Sequence, residues 1–488
     1  METFYVTTPI YYVNDIASIG HAYTTIAADV LARWHRLRGD EVFFLTGVDE
    51  NSQKTVKAAK AKFGSDIGRE QIKQYTHEMA ERWKGTWATL CISNDHFIRT
   101  TDEHHVNVVN AFFMKVYEKG DIYKGEYKGL YCEGCEAFYL EKDLVKGVCP
   151  FHKTPPQPIG EENYFFKLSV YRERIIQHIQ THPKFIQPTS RRNEVLSFLK
   201  EDLKDISISR PLKEWGIPLP IDSNHYYWVW FDALTNYISG NPKGWPASLH
   251  LLAKDILKFH CILWPGMLMS AGYSLPERLF VHGFLTVNGQ KMSKSLGNAI
   301  DPLYLSERYG VDALRYFLMR EIPFGSDGDF NEEALKARLN NELANDLGNL
   351  VSRVLAMVEQ YFHGVIPEGK IDGELVDQLN VDRIERAMDK LEMHTALAEI
   401  WSFIKGVNRY INENAPWDNE KGRATVLYTA LDALRIIGIL LSPFLPKTAE
   451  KIHKQLKVAA GRWSDVEFGI LEPGRKINKG QNLFTKKE

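Results

Sequence analysis

The first fifty residues follow a strand–helix–strand pattern, which restricts the fold more than any other feature of the chain. Phe4–Thr8 is a β-rich run, and apolar residues then recur at helical spacing from Ala22 to Leu37. Gly39 follows as a stop signal, and Val42–Leu45 is typical of a buried strand. This order of elements predicts the opening of a doubly wound, Rossmann-type α/β nucleotide-binding fold.

Changes of pattern further along the chain predict several domains, since 488 residues are too many for one hydrophobic core. Short Tyr-, Gly- and Pro-rich pieces mark an insertion at 120–222, which splits the nucleotide-binding domain into halves at 1–119 and 223–330. Nearly continuous helical spacing predicts an all-α bundle at 331–470. Residues 471–488 are locally basic and are expected to form a tail that is either solvated or binds nucleic acid.

Three cysteines and a histidine in the insertion have the spacing of a zinc site. Cys132 and Cys135 form a C-x2-C pair, and Cys149 and His152 form a C-x2-H pair. Thiolate and imidazole ligands in this pattern favour one closed, tetrahedral Zn2+ site. Four protein ligands leave no open coordination position, so we expect the metal to be structural.

Two distant segments carry chemistry that suits phosphate. Ser18–His21 begins the first predicted helix, where backbone N–H groups and the positive end of the helix dipole attract anions. Gly20 permits close backbone approach, and His21 can donate a hydrogen bond to a phosphate oxygen. Lys291 and Lys294, on a Gly- and Ser-flanked loop, can stabilise charge that builds on phosphates during displacement.

A further group of candidates lies near predicted strand ends, where ligands bind in open α/β sheets. Asp49 follows a strand, where a carboxylate either binds an ammonium group or caps the next helix. Asp255 is expected to accept ribose hydroxyls or to cap a helix. Several aromatic and histidine residues there form either a pocket or ordinary core: Tyr12, Trp230, Tyr237, His260 and Trp264.

Taken together, the motifs resemble the methionyl-tRNA synthetase family of the class I aminoacyl-tRNA synthetases. Ser18–His21 and Lys291–Ser295 are similar to the paired ATP-binding sequences of the class. The segments that are similar to this particular family are Tyr11–Asn14, Thr46–Glu50, Trp230–Tyr237, Phe259–Pro265, Val281–Phe284, Gly348–Arg353 and Asn414–Trp417. The resemblance covers nearly the whole chain.

The resemblance implies that methionine is activated with ATP and Mg2+ to methionyl-adenylate and is then transferred to tRNA(Met). The implied methionine-binding residues are Ile10, Tyr12, Asp49, Trp230, Ala233, Leu234, Tyr237 and His260. The implied ATP-binding residues are Ser18, Gly20, His21, Lys254, Asp255, Lys291 and Lys294, of which His21, Lys291 and Lys294 are implied to be catalytic. Asn349, Arg353 and Trp417 are implied to read the CAU anticodon.

The sequence departs from the family pattern at two places. Ser18 stands where the family has the first histidine of its four-residue turn motif, and Asn51–Ser52 stands where it usually has His-Gly. The first change removes a phosphate donor, and the loss of a critical donor costs about 10²–10³ in rate. We therefore expect slower activation or weaker ATP binding in preference to inactivity.

Two alternative functions remain open at this stage. One is another class I synthetase, for cysteine or an aliphatic amino acid, although the insertion is too short for the large editing domain of the aliphatic enzymes. The other is a non-catalytic tRNA-binding paralogue. The net charge of −2 excludes a globally basic nucleic-acid coat but allows a local basic patch.

Cysteine usage and the two termini predict location and oligomeric state. Five cysteines, of which three are clustered, suit a reduced compartment and a metal better than a disulfide framework. We expect no targeting segment and no membrane span, and hence a cytoplasmic protein. The family's optional dimerising C-terminal domain is expected to be missing, which favours a monomer.

Overall fold

The computed structural model describes residues 2–134, 137–139, 141–150, 153–211, 214–287, 289–291 and 299–487. Within these ranges the strands β1–β16 are Thr3–Tyr12, Glu41–Asp49, His96–Arg99, Ile122–Cys132, Ala137–Tyr139, Gln157–Phe166, Ile186–Gln187, Ile206–Ser207, Ser209–Pro211, Pro218–Leu219, Asp222–Tyr227, Leu249–Ala253, Leu279–His282, Leu285–Val287, Gln290–Lys291 and Gly328–Phe330. The helices α1–α17 are Ile19–Arg38, Gln53–Phe63, Arg69–Thr89, Glu103–Glu118, Arg172–Thr181, Thr189–Leu199, Val229–Ser239, Trp264–Ala271, Pro302–Tyr309, Val311–Arg320, Glu332–Arg338, Asn349–Phe362, Gly373–Val376, Val381–Asp389, Met393–Asn414, Arg423–Leu441 and Pro446–Leu456. Two π-helical segments, Phe259–Leu263 and Leu339–Gly348, lead into α8 and α12.

A central sheet in the order β3-β2-β1-β12-β13-β7 confirms the doubly wound α/β core. Neighbouring strands are all parallel, and α1 makes the crossover between β1 and β2. Both neighbours of β1 follow it in the chain, one directly through α1 and the other much later, so the strand order reverses at β1. A ligand crevice is expected there, at the carboxyl ends of the strands.

Part of the predicted insertion at 120–222 belongs to the central sheet. Two small antiparallel sheets, β5-β4-β6-β8 and β10-β11-β9, lie in or next to this range. However, Ile186–Gln187 pairs in parallel with β13 and so forms the edge of the central sheet. A strand of two residues has no readable periodicity, which is why the sequence pattern did not separate it from the insertion.

The segment Tyr226–Trp230, which lies near the start of the predicted second half of the nucleotide-binding domain at 223–330, does not join the central sheet. Instead, β11 pairs antiparallel with β9 and β10, and α7 begins immediately after it at Val229. The parallel pattern resumes later, at β12.

The C-terminal half is the predicted helical bundle, with α16 at its centre. By length and composition, the helix Arg423–Leu441 is apolar enough to cross a membrane. However, 89% of its apolar 18-residue stretch is buried inside the protein. The helix therefore supplies the core of the bundle, packing against α12, α15 and α17.

The basic segment at 471–488 is mostly exposed, but it contacts the bundle at three buried residues. Leu471, Ile477 and Leu483 are buried. The backbone N–H of Ile366 donates to the Arg475 carbonyl, and the N–H of Ile477 donates to the Gly364 carbonyl. The three buried residues are six positions apart, which matches neither helical nor strand spacing, so the sequence pattern did not predict this packing.

A buried ion pair joins α1 to α10, and its guanidinium group also contacts the helical bundle. Arg315 on α10 and Asp29 on α1 are fully buried, with 2.7 Å between Nη2 and Oδ2. Arg315 also donates to the carbonyls of Leu90 at 3.2 Å and Phe444 at 2.8 Å. The guanidinium group thus joins α1, the end of α3 and the α16–α17 junction.

Removal of this guanidinium group should destabilise the protein strongly. Arg315→Leu leaves the Asp29 carboxylate buried with less compensation, and breaking such pairs costs roughly 3–5 kcal/mol. Urea-induced unfolding followed by tryptophan fluorescence measures this difference. Arg308→Leu, whose ion pair with Glu332 is exposed, is the matched control and should leave the stability nearly unchanged. Equal losses in the two variants would contradict the role of the buried pair.

Candidate functional site

The N-terminus of α1 forms one end of the candidate site. The backbone N–H of Ser18 donates to His21 Nδ1 at 3.0 Å, and the Ser18 hydroxyl lies 3.1 Å from the same nitrogen. Because Nδ1 accepts this bond, the ring proton of neutral His21 resides on Nε2, where it can be donated to a ligand. The first turn of α1, all of it described, contains no acidic side chain. This end of the helix is therefore suited to an anion.

A cavity of about 460 Å³ lies between this helix end and the carboxyl ends of β1, β2 and β12. Most of the ATP- and methionine-binding residues that were predicted from the sequence and the resemblance line this cavity. Those lining it are Ile10, Tyr12, Ser18, Gly20, His21, Asp49, Trp230, Ala233, Leu234, Tyr237, Asp255 and His260. Trp264 is fully buried behind it and is a core residue.

Tyr12 and Asp49 stand side by side because β1 and β2 pair with these two residues in register at their carboxyl ends. Asp49 is almost fully buried, and its Oδ1 accepts from the backbone N–H of Asn51 at 3.2 Å. The alternative role of Asp49 as a helix cap is not observed, because Ser52 caps α2 by accepting from the Thr55 N–H. Asp49 therefore presents a carboxylate to the cavity.

One wall of the cavity is aromatic and uncharged. Trp230 on α7 stacks on Phe259, with 3.9 Å between ring centroids. Nδ1 of His260 lies 3.0 Å from the Ile256 carbonyl, so it carries the ring proton and Nε2 accepts from the Tyr237 hydroxyl at 2.7 Å. Burial lowers the pKa of His260 to about 4, and the ring is neutral near pH 7. A neutral wall of this kind suits an apolar, polarizable side chain.

Of the three cationic candidates, the structure describes the side chain of Lys254, which lies at the rim of the cavity. Lys254 does not line the cavity; its Nζ is 2.7 Å from both carboxylate oxygens of Asp327 and lies over the Phe284 ring. The backbone of Lys291 forms β15, whereas Lys294 lies outside the described residues. Rim contacts thus hold Lys254 close to the cavity.

Sequence reasoning missed two aspartates that support this rim. Asp327 accepts from the backbone N–H of Phe284 at 2.8 Å, in addition to binding Lys254. Asp329 accepts from the Thr286 hydroxyl at 2.5 Å and from the Gly289 N–H at 2.8 Å. Both aspartates therefore stabilise the hairpin of β14 and β15, which contains Lys291. No signal in the sequence linked them to a hairpin forty residues earlier.

Other residues that line the cavity were also missed. His282 is buried, with Nε2 2.7 Å from the Thr24 hydroxyl. Trp83 packs edge-on against the ring of His21, with 5.2 Å between centroids. Asn236 faces the same cavity from α7. Asn236 and His282 lie within family-like segments, which was the available signal, whereas nothing marked Trp83.

The predicted zinc ligands are described in part. Cys132 and Cys149 are buried reduced thiols, whereas Cys135 and His152 lie outside the described residues. Cys149 is buried although its neighbours Lys146, Pro150 and Lys153 are exposed. Among the described residues no group of three or more metal-binding side chains occurs.

The three predicted anticodon residues lie at one end of the helical bundle. Asn349 is exposed near the start of α12, and Arg353 lies one turn further along. Arg353 donates to the side-chain oxygen of Asn412 at 2.6 Å, close to the end of α15. Trp417 follows that helix end and is 41% exposed, so it does not fill the core of the bundle.

Family models match almost the whole chain. A model for class I tRNA synthetases (M) matches residues 4–159 and 151–355. A model for the anticodon binding domain of methionyl tRNA ligase matches residues 366–488.

Curated relatives are similar over the full length of the chain. The methionine–tRNA ligase of Caldanaerobacter subterraneus subsp. tengcongensis is 47% identical, covering 99% of this chain and 79% of the relative. The methionine–tRNA ligase of Streptomyces coelicolor is 43% identical, covering 100% of this chain and 97% of the relative. Among solved structures, Mycobacterium tuberculosis methionyl-tRNA synthetase in complex with methionyl-adenylate matches with a TM-score of 0.93 at 38% identity, covering 99% of this chain and 100% of that one. The apo form of the same enzyme matches with a TM-score of 0.85.

Proposed function

The chain belongs to the methionyl-tRNA synthetase family of the class I aminoacyl-tRNA synthetases, and we propose that it activates methionine with ATP and transfers it to tRNA(Met). One observation carries the proposal: a single cavity joins an anion-binding helix end, a buried carboxylate and a neutral aromatic wall. These are the parts required by a phosphate, an ammonium group and a thioether respectively.

Activation is a displacement at phosphorus. The carboxylate oxygen of methionine attacks the α-phosphate of ATP in line, the bond to the β-phosphate oxygen breaks, and pyrophosphate leaves with the electron pair. Mg2+ supplied with ATP neutralises phosphate charge. The terminal adenosine of the tRNA then attacks the methionyl carbonyl, and AMP leaves. Positioning and electrostatic stabilisation supply most of the catalysis in such reactions.

The ATP end of the site is assigned to Ser18, Gly20, His21, Lys254, Asp255, Lys291 and Lys294. The location of His21 at the N-terminus of α1, with its proton on Nε2, supports a role in donating to phosphate. Lys291 and Lys294 would stabilise charge on the leaving pyrophosphate. Asp255 lines the cavity and would accept from the ribose hydroxyls.

The amino-acid end is assigned to the remaining cavity residues. The Asp49 carboxylate and the Ile10 carbonyl would hold the ammonium group. The thioether would lie against Tyr12, Trp230, Ala233, Leu234, Tyr237 and His260. Contacts between sulfur and aromatic rings are worth roughly 0.3–1.5 kcal/mol each. The neutral state of His260 supports the assignment, because a charged ring would oppose binding of an apolar side chain.

We assign a structural Zn2+ to Cys132, Cys135, Cys149 and His152. The burial of Cys132 and Cys149 in a segment with many exposed neighbours supports this site. Bound metal would organise a region with little hydrophobic core of its own. The contact between Lys54 on α2 and the Gly134 carbonyl, at 2.6 Å, connects this region to the catalytic core.

Recognition of tRNA(Met) is assigned to Asn349, Arg353 and Trp417. Their location at one end of the bundle and the exposed indole of Trp417 support reading of splayed anticodon bases. A cytoplasmic location follows from a role in translation. The monomeric state stays a prediction.

A methionine-dependent exchange assay tests the proposal and separates it from the alternatives. With Mg2+ and ATP, the protein should exchange pyrophosphate in response to methionine and only weakly to leucine or cysteine. Asp49→Asn should raise the KM for methionine about 10- to 100-fold, because the ammonium group loses a charged hydrogen-bond partner. A stronger response to another amino acid would contradict the assignment, and no exchange at all would favour a non-catalytic paralogue.

The zinc assignment predicts one Zn2+ per chain in protein purified without chelator, measured by elemental analysis. Cys149→Ser should reduce this content, because the ion loses a thiolate ligand. Cys91→Ser, a half-buried cysteine outside the insertion, is the control and should retain one ion per chain. A wild-type protein without zinc would refute the site.

The anticodon assignment predicts that Trp417→Ala separates the two reactions. Base stacking on an aromatic ring is worth roughly 1–3 kcal/mol, so kcat/KM for tRNA charging should fall about 10- to 100-fold. Exchange without tRNA should hardly change, because Trp417 is not among the described residues that line the cavity.

Tyr117→Ala is the matched control for Trp417, since Tyr117 is 40% exposed on α4 of the catalytic domain. Its charging activity should stay close to that of the wild type. If charging by Trp417→Ala is also unchanged, the anticodon is read elsewhere. If both reactions fall and the variant melts early, Trp417 has a structural role.

A further inference from the structure

Asn51, one of the two departures from the family pattern, lies directly behind the ammonium-binding end of the cavity. Its backbone N–H donates to Asp49 Oδ1 at 3.2 Å. Its side-chain nitrogen donates to Asp232 Oδ2 at 2.8 Å and to the Thr100 carbonyl at 3.1 Å. One buried residue therefore contacts the carboxylate of the site and an acidic residue 181 positions later.

Asp232 belongs to α7, the helix that supplies the aromatic wall, and is 1% exposed. Its second oxygen, Oδ1, lies 2.7 Å from Nε2 of His105 on α4, which is fully buried. Nδ1 of His105 in turn lies 2.7 Å from the Ser239 hydroxyl at the end of α7. Asn51 and His105 thus bind opposite oxygens of one buried carboxylate and tie α7 to its surroundings.

Neither Asn51 nor Asp232 is among the described residues that line the cavity. Both nevertheless contact elements that do. Asn51 holds Asp49, and Asp232 is interleaved on α7 with Trp230, Ala233 and Leu234. A change in the bond between Asn51 and Asp232 would therefore reach the amino-acid end of the site through two neighbours and leave the phosphate end at α1 untouched.

We propose that Asn51 and Asp232 are positioning residues that set the affinity for the amino acid, by fixing the Asp49 carboxylate relative to α7. This inference rests on the proposed function. A buried carboxylate requires hydrogen-bond donors, and loss of one leaves it with an unsatisfied oxygen. The amide of Asn51 supplies such a donor without an ionisable group.

The test uses Asn51→Leu, which keeps the size of the side chain but removes the donor, and Asn51→His, which restores an N–H donor. Pyrophosphate exchange gives kcat and the two KM values. A titration of tryptophan fluorescence with methionine gives a binding constant that does not depend on activity. Asn51→Leu should weaken methionine binding and raise its KM about 5- to 100-fold, with the KM for ATP unchanged. Asn51→His should recover most of this loss.

The matched control is Asp432→Asn, which alters a fully buried carboxylate in the helical bundle that pairs with Arg435. It should lower the melting temperature without changing the KM for methionine. The same pattern in Asn51→Leu, or an equal loss in Asn51→Leu and Asn51→His, would overturn the inference, because packing alone would then explain the effect.

A reciprocal exchange provides a second test if Asn51→Leu does not fold. Asn51→Asp places two carboxylates together and should weaken methionine binding most, whereas Asn51→Asp with Asp232→Asn restores one donor and one acceptor. Partial recovery of binding in the double variant supports the proposal, and no coupling between the two changes overturns it. A wild-type protein without exchange would refute the proposed function, while the fluorescence titration would still decide this inference.

Discussion

The contacts of the fully buried Arg315 are those on which the arrangement of the nucleotide-binding domain and the helical bundle depends. Arg315 pairs with Asp29 of α1 and donates to the Phe444 carbonyl of the bundle. Burial alone raises the pKa of Asp29, but the Arg315 and Arg33 guanidinium groups outweigh it and hold the pKa below its ordinary value. The carboxylate therefore stays ionised. Its contribution to stability is complete above the ordinary carboxyl pKa and is lost only as the pH falls through the lower folded value.

Helix α1 is consequently shared by the nucleotide site and the helical bundle. Its N-terminus carries Ser18 and His21, and its centre carries Asp29. Near its other end, Trp34 packs edge-on against Trp463, and Arg38 pairs with Glu385 of α14 at 3.3 Å. A straight helix of this length is a stiff element, so the phosphate end of the site has a fixed position relative to the bundle. Helix α1 therefore gives the anticodon-binding domain a direct structural connection to the phosphate end of the cavity.

The sequence was sufficient to predict the position of a site residue where a motif lies at the end of a regular strand or helix. Tyr12 and Asp49 end adjacent strands, so the predicted topology already brought them together. It was insufficient for contacts between distant residues, such as Asn51 with Asp232, because pairing of buried polar groups leaves no periodic signal. The same limit applies to the two-residue strand β7. The ligands Cys135 and His152 and the catalytic candidate Lys294 lie outside the described residues and stay predictions.

The prediction that Ser18 can replace the family's first histidine without abolishing activity has a physical basis in the backbone. The bond that orients His21 comes from the Ser18 N–H, which every residue other than proline can provide. The serine hydroxyl, 3.1 Å from the same ring nitrogen, adds to this contact. What the substitution removes is one imidazole donor to phosphate, whereas the orientation of His21 and the helix dipole remain. We therefore expect weaker binding of phosphate at this site, with the orientation of His21 retained.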